Sequence, residues 1–407
     1  MNPLFKNAMA EATRLTRDGR LGDAMTAVRR ALSRPKPAPS WPVPEEPPAQ
    51  PPSGPKGPVI DLEPPADGKG AWAADTPPRS EASWRTGPAQ AGMPDGMRDL
   101  LDRLGQAGSL PGFQGRAEPA PPPAPLPEGA RFEERVFANG AGRRSYKLYV
   151  PGSHKGQAMP LVVMLHGCTQ SPDDFAAGTR MNELAEEQGF LVAYPAQAKR
   201  ANASKCWNWF NVADQQRDRG EPSLIAGITR EIMDRFAVDP GRVYVAGLSA
   251  GGAAAAIMGA TYPDLYAAVG VHSGLACGAA RDVASAFAAM RQGGTPNGGA
   301  GRAVPTIVFH GDRDTTVHPV NGDHVIAQSK ADANLRASVE SGRSPGGVSY
   351  TRTVQSGGDG RPVLEQWVLH GTGHAWSGGS SAGTYTDPRG PDASREMLRF
   401  FGEHRLP

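Results

Sequence analysis

Three residues of different types, spread over the second half of the chain, carry functional groups that together could perform acyl transfer. The first is Ser249, in Gly247-Leu248-Ser249-Ala250-Gly251, where an apolar strand runs into an alanine-rich helix. A serine between these two elements is typical of a nucleophile elbow, a sharp turn that presents the hydroxyl at the end of a sheet. Side chains at Gly247 or Gly251 would collide with neighbouring backbone. The pattern therefore predicts that Ser249 is a nucleophile.

A serine hydroxyl needs a base to remove its proton and a carboxylate to orient that base. Both follow in the expected order, because Asp314 and then His374 each come shortly after an apolar strand. Asp312 lies nearer to its strand, where it is expected to cap the turn. His370 lies at a strand end and is expected to be structural. We therefore predict a triad of Ser249, Asp314 and His374.

An acyl-transfer site also needs two backbone N–H groups that stabilise the developing oxyanion. The residue after the nucleophile, Ala250, is expected to supply one. The other is expected from the loop at residues 166–170, which follows an apolar strand, with the Cys168 amide as the donor. Cys168 itself is not expected to be the nucleophile, because Ser249 occupies the elbow.

Tryptophans cluster in two loops near these residues. Trp207 and Trp209 lie in a polar loop, and Trp376 follows His374. Aromatic side chains there could form a wall that binds substrate, or they could pack beneath the loop, and the residue pattern favours neither. Cys206, next to Trp207, could form a disulfide with Cys168 if both line one cleft, and this pairing also stays open.

The elements that must position these residues alternate between strand and helix, which predicts an α/β fold with a mostly parallel sheet covered by helices on both faces. A hairpin with its turn at Asn139-Gly140 is expected at the start. Strands are expected at 132–137, 145–150, 161–165, 190–194, 242–246, 266–271, 306–309 and 364–369, and helices at about 173–188, 224–236, 250–262, 320–335 and 391–401.

The chain before this domain has a different composition. Residues 1–33 show apolar spacing typical of an amphipathic helical hairpin, either a packing element or an anchor for a partner. Of the 40 prolines, 24 lie between Pro35 and Pro127, so residues 34–128 are expected to be a disordered linker with a short helix near 97–104. The α/β domain is expected over residues 129–407.

Charge and hydropathy exclude several classes of protein. The net charge of +2 argues against a nucleic-acid binder with a broad basic surface. The apolar stretches are too short to span a bilayer, so no transmembrane segment is expected. The charged N-terminal region does not match a secretory signal, which indicates the cytoplasm, with an extracellular location as the alternative.

Several motifs occur together along the chain. They are His166-Gly-Cys-Thr-Gln-Ser, Cys206-Trp-Asn-Trp-Phe, Arg242-Val-Tyr-Val-Ala-Gly-Leu-Ser-Ala-Gly-Gly, Tyr262-Pro-Asp and Val271-His-Ser-Gly. Over about residues 132–401 the chain resembles the poly(3-hydroxybutyrate) depolymerase family of esterases, which is related to feruloyl and acetylxylan esterases. The resemblance implies an α/β-hydrolase fold, a triad on Ser249, Asp314 and His374, and ester hydrolysis without a metal or organic cofactor.

Three functional hypotheses follow from this resemblance. The first is a serine esterase that hydrolyses poly(3-hydroxybutyrate) or hydroxyalkanoate oligomers through an acyl-enzyme. The second is an esterase that acts on feruloyl or acetyl esters of polysaccharides. The third is a non-catalytic protein associated with polymer granules. Without a signal peptide or a recognisable polymer-binding domain, the chain resembles intracellular members, whose N-terminal region could contact a granule surface.

Overall fold

The computed structural model describes residues 126–296, 304–330 and 334–407. The hairpin expected at 1–33, the helix expected near 97–104 and the linker up to residue 125 lie outside the described residues. Within them the chain forms a ten-stranded sheet with helices on both faces, so the α/β architecture expected from the sequence is confirmed.

The sheet has the strand order β1-β2-β4-β3-β5-β6-β7-β10-β9-β8. Its six central strands, from β4 to β10, are mutually parallel, and antiparallel strands lie at both edges. The strands are β1 (Arg131–Asn139), β2 (Gly142–Val150), β3 (Met159–Leu165), β4 (Leu191–Pro195), β5 (Val238–Leu248), β6 (Ala268–His272), β7 (Thr306–Gly311), β8 (Arg336–Arg343), β9 (Ser349–Ser356) and β10 (Pro362–Leu369). A small second sheet pairs β11 (Trp376–Ser377) with β12 (Thr386–Asp387).

The described helices lie between these strands and at the end of the chain. They are α1 (Pro172–Thr179), α2 (Met181–Gln188), α3 (Gly220–Arg235), α4 (Ala250–Thr261), α5 (Val283–Gln292), α6 (Val320–Ser329) and α7 (Ala393–Gly402), with a 3₁₀ turn at Val212–Gln215.

The structure differs from the sequence expectations at three places. The single helix expected at 173–188 is two helices, α1 and α2, because Arg180 adopts a left-handed conformation with φ 56°. The helix expected to reach residue 335 ends at Ser329, and the edge strands β8 and β9 follow it. Helix α5 was also not expected. Strands β8 and β9 were missed because their side chains are mostly polar, exposed in β8 and half-buried in β9, so they lack the apolar pattern that identifies a strand.

The core lies on both faces of the sheet, as the sequence of β3 illustrates. Leu161, Val163 and Leu165 belong to one buried apolar cluster, while Val162 and Met164 belong to another. Because successive side chains of a strand point to opposite faces, a continuous apolar run fills two cores at once. The helices α3 and α4 contribute to the first cluster, and α1, α2 and α7 to the second.

One carboxylate is fully buried in this framework. Glu365 of β10 has no exposed surface and accepts hydrogen bonds from Arg352 (2.9 and 3.0 Å), Arg399 (2.6 Å) and the Trp367 indole (2.7 Å). These donors connect β9, β10 and α7. A buried charge of this kind is stable only while its partners remain.

Glu365→Ala is expected to lower the free energy of unfolding by about 1–3 kcal/mol, because it leaves the buried Trp367 indole N–H without its acceptor and removes the buried partner of the half-buried Arg352 and Arg399. Chemical denaturation measures the loss. The matched control is Glu340→Ala on β8, whose carboxylate also faces Arg352, at 3.6 Å, but is 65% exposed. The control is expected to lose less than about 1 kcal/mol. Equal losses in the two variants would contradict this account of the buried cluster.

Candidate active site

Ser249 occupies a strained backbone position between β5 and α4. Its φ of 59° and ψ of −121° are rare for a residue with a side chain. Its backbone N–H donates to the carbonyl of His272 at the end of β6 (2.9 Å). A Cβ on Gly247 would clash with the Gly251 carbonyl, and one on Gly251 would clash with the Leu165 carbonyl. The close approach of β3, β5 and α4 therefore requires both glycines and holds the elbow that the motif predicts.

Asp314 and His374 meet across two neighbouring strands. Asp314 follows β7 and His374 follows β10, and these strands are paired in parallel, so both loops emerge at the same edge of the sheet. His374 Nδ1 lies 2.6 Å from Asp314 Oδ2. His374 and Ser249 line the same cleft. Since Nδ1 is engaged by the carboxylate, Nε2 is the ring nitrogen that remains for the serine.

The surroundings of Asp314 favour its ionised form. Its Oδ1 accepts hydrogen bonds from the amides of Thr316 and Val317, both at 2.9 Å, and its Oδ2 lies 3.4 Å from His310 Nε2. Burial alone would raise the pKa of Asp314, but His374 and His310, through charge and hydrogen bonding, hold the pKa well below its usual range. The carboxylate can therefore orient His374 Nδ1–H and stabilise an imidazolium.

The other aspartate and histidine of these loops pair with each other. His370 Nδ1 lies 3.0 Å from Asp312 Oδ2, and Asp312 Oδ1 accepts a hydrogen bond from the Gly371 amide (2.7 Å). Neither residue lines the cleft with Ser249. The pair instead ties the loop after β7 to the loop after β10, as its expected structural role implied.

The loop at 166–170 forms another wall of the cleft. Cys168 lines it, and Cys168 is joined to Cys206 by a disulfide, which answers the question that the sequence left open. Among the described residues, no acceptor within hydrogen-bond distance is found for the amides of Cys168 or Ala250. Two amides without protein partners beside the nucleophile have the chemistry of an oxyanion hole.

Buried polar groups hold this loop in place. Gln170 Oε1 accepts a hydrogen bond from the Gly167 amide (2.9 Å), and the carbonyl of His166 accepts one from the Trp207 indole (3.0 Å). His166 Nε2 accepts the Gln197 amide (3.1 Å). The sequence analysis missed Gln170 as a positioning residue. A polar side chain three residues after the strand-end glycine was the available signal.

The three tryptophans expected to contact substrate do not line this cleft. Trp207 has no exposed surface, Trp209 is 6% exposed and Trp376 is 1% exposed. The Trp376 indole donates to Ser394 Oγ (3.1 Å) and packs edge-on to Phe175. The substrate-wall interpretation is therefore wrong in this structure, and the packing alternative is correct. Large apolar rings gain more by filling the space beneath the loops than by facing water.

Comparisons with known proteins agree with this geometry. Residues 144–338 match the family model described as "Esterase PHB depolymerase". This stretch is similar to that family. The poly(3-hydroxyalkanoate) depolymerase C of Paucimonas lemoignei is 31% identical over 265 residues, which are 62% of this chain and 61% of that protein. The chain thus spans less than two thirds of this depolymerase.

The chain is also similar to esterases with other named substrates. Feruloyl esterase B of Neurospora crassa is 28% identical over 292 residues, which are 66% of this chain and 92% of that protein. Acetyl xylan esterase from Aspergillus awamori, a solved structure, matches with a TM-score of 0.53 and 21% identity over 67% of this chain and 99% of that one. This likeness confirms the α/β-hydrolase fold of the described domain.

In the part of the chain that the structure describes, no helix combines the length and the apolar composition of a membrane span. No group of three or more His, Cys, Asp or Glu side chains there is arranged to hold a metal ion.

Two histidines support the site as neutral groups. Burial lowers the pKa of His166 to about 4, and burial together with the charges of His310 and His374 lowers the pKa of His272 to about 3. His272 Nε2 accepts the Ser377 amide (3.0 Å), and His272 stacks on Phe309. Protonation of either ring would remove an acceptor from a buried N–H group.

Acidification is therefore expected to destabilise the fold. The unfolded chain binds a proton at each histidine near the ordinary pKa of 6.5, but the folded protein does not until about pH 4 at His166. Each such group lowers the free energy of unfolding by about 1.4 kcal/mol per pH unit between these values. His166→Asn should reduce the slope by this amount, measured by urea denaturation from pH 7 to 4. The exposed His318→Asn is the control, and equal slopes in both variants would refute the assignment.

Proposed function

We propose that this protein is a serine esterase that hydrolyses carboxylic esters through an acyl-enzyme, with Ser249, His374 and Asp314 as its catalytic triad. The observation that carries the proposal is the convergence of a strained serine and an Asp-paired histidine in one cleft. The family match supports the same class of reaction. Because this chain covers only part of its depolymerase relative, its esterase activity has to be measured on this chain itself.

The first half-reaction forms the acyl-enzyme. His374 Nε2 takes the proton of the Ser249 hydroxyl while the oxygen attacks the ester carbonyl carbon. The carbonyl oxygen becomes an oxyanion, and the amides of Cys168 and Ala250 stabilise it. His374 then gives its proton to the alcohol oxygen as the carbon–oxygen bond breaks, and the alcohol leaves.

The second half-reaction reverses these roles with water. His374 Nε2 removes a proton from water, whose oxygen attacks the acyl carbon and forms a second oxyanion in the same hole. Collapse of this intermediate breaks the bond to Ser249, which takes back the proton from His374, and the acid is released. Throughout, Asp314 remains ionised and holds Nδ1–H, so that His374 can carry a positive charge.

For the substrate, we propose hydroxyalkanoate esters, such as oligomers of 3-hydroxybutyrate. The depolymerase named among the relatives supports this choice, and the feruloyl and acetylxylan esterases support the alternative of polysaccharide esters. The paired His374 and Asp314 argue against the hypothesis of a non-catalytic granule protein, because such a protein needs no acid–base pair. The Cys168–Cys206 disulfide favours an oxidising compartment, which supports the extracellular alternative over the cytoplasm.

Ser249→Ala is expected to lower kcat by about 10⁴- to 10⁶-fold without unfolding the protein, because it removes only the nucleophilic oxygen. The assay follows p-nitrophenyl butyrate and the trimer of 3-hydroxybutyrate, with circular dichroism as the test of folding. Ser153→Ala, an exposed serine far from the cleft in sequence, is the control and should keep wild-type turnover. Wild-type turnover by the Ser249 variant would exclude the mechanism.

Cys206→Ser is expected to lower kcat about 10-fold or more with little change in KM, because the Cys168 amide loses the covalent bond that holds its loop. Reduction of the wild type by a phosphine should have the same effect and should leave the variant unchanged. The half-buried free cysteine gives the control Cys277→Ser. If kcat survives both the substitution and the reduction, the disulfide does not position the oxyanion donor.

A further inference from the structure

Tyr385 crosses the mouth of the cleft. Its carbonyl accepts a hydrogen bond from the Trp376 amide (2.7 Å), two residues beyond His374. The phenol oxygen of its side chain lies 3.4 Å from Oγ1 of Thr169, the residue next to Cys168. The ring therefore extends from the histidine loop to the oxyanion loop, and it lines the cleft together with Ser249.

The backbone at Tyr385 is held in an unfavourable conformation. Its φ of 54° is unusual for a bulky aromatic residue, and such strain persists only where the surroundings enforce it. The preceding residue supplies the restraint. The Thr384 amide donates to Asp174 Oδ1 of α1 (2.9 Å), and the Thr384 carbonyl accepts from Gln170 Nε2 (3.1 Å). The same Gln170 that holds the oxyanion loop thus fixes the position of the Tyr385 ring.

The cleft that this ring helps to close is small. Its cavity volume is about 10 Å³, room for about one water molecule and far below the roughly 300–1,000 Å³ typical of pockets that bury drug-sized ligands. The tryptophans that could have opened a larger apolar surface are buried in the core instead. After His374 protonates it, the alcohol must depart to solvent, whereas the acyl group stays bonded to Ser249 until water attacks.

We propose that Tyr385 determines specificity by limiting the size of the acyl group, so that short acyl chains are preferred to long ones. The inference rests on the proposed esterase function. It separates hydroxyalkanoate and acetyl esters from feruloyl esters, because the acyl group of a feruloyl ester carries an aromatic ring and is much larger.

The experiment compares kcat/KM for p-nitrophenyl acetate, butyrate and octanoate, which differ only in the acyl group. Wild type is expected to prefer butyrate to octanoate by at least about 10-fold, the scale of discrimination that pocket size provides. Tyr385→Ala should reduce this ratio about 10-fold or more, and Tyr385→Phe should keep the wild-type ratio because the ring remains. Tyr385→Gly, which tolerates the positive φ, repeats the truncation without backbone strain. The exposed Val339→Ala is the control.

The outcomes separate this inference from the function on which it rests. A folded wild type that hydrolyses none of the esters would remove the proposed function. An active wild type with the same butyrate-to-octanoate ratio in the alanine and glycine variants would overturn the role of Tyr385. A second series keeps the acyl group as acetate while the alcohol grows from methyl to naphthyl. It tests whether Tyr385 contacts the alcohol group instead of the acyl group. If truncation changes preference only in that series, the assignment to the acyl group is wrong.

Discussion

The close packing of backbone around Ser249 is the constraint on which the rest of the site depends. Strands β3 and β5 and helix α4 approach so closely that neither Gly247 nor Gly251 can carry a side chain. This contact fixes the serine at a positive φ and turns its hydroxyl out of the sheet edge. A strained position persists only if the surrounding core determines it, and the apolar clusters on both faces of the sheet provide that restraint.

Near Ser249, two buried histidines are neutral hydrogen-bond acceptors, whereas one buried aspartate is ionised. His166 and His272 are neutral because burial lowers their pKa values, and each accepts a backbone N–H through Nε2. Asp314 stays ionised because two amides and two histidines surround it. The Asp314 carboxylate therefore lies beside His374, where a positive charge would form in the proposed ester hydrolysis.

Some aromatic residues near the cleft pack behind its loops, and one lines the cleft itself. Trp207 lies beneath the oxyanion loop and binds the His166 carbonyl, and Trp376 packs behind the histidine loop. Tyr385 alone among the residues discussed here brings an aromatic ring into the cleft itself. A disulfide, a buried glutamine and a bridging tyrosine thus hold two walls that come from distant parts of the chain.

The sequence by itself determined the local features: the apolar strands of the parallel sheet, the glycine-flanked serine, and an acid and a base that each follow a strand. These signals are readable because they depend on neighbouring residues and on strand and helix periodicity. It also indicated which aspartate and which histidine lie farther from their strands. The polar edge strands β8 and β9 and the break at Arg180 were not readable, because their conformations depend on contacts rather than on an apolar pattern.

Only the tertiary structure decided what depends on distance between remote residues. It paired Cys168 with Cys206, placed Trp207, Trp209 and Trp376 in the core, and brought Tyr385 across the cleft from more than 200 positions away in the chain. An aromatic side chain gains free energy equally well by packing in a core or by covering a ligand. Which of the two occurs depends on how the loops fold over the sheet, and no local pattern carries that information.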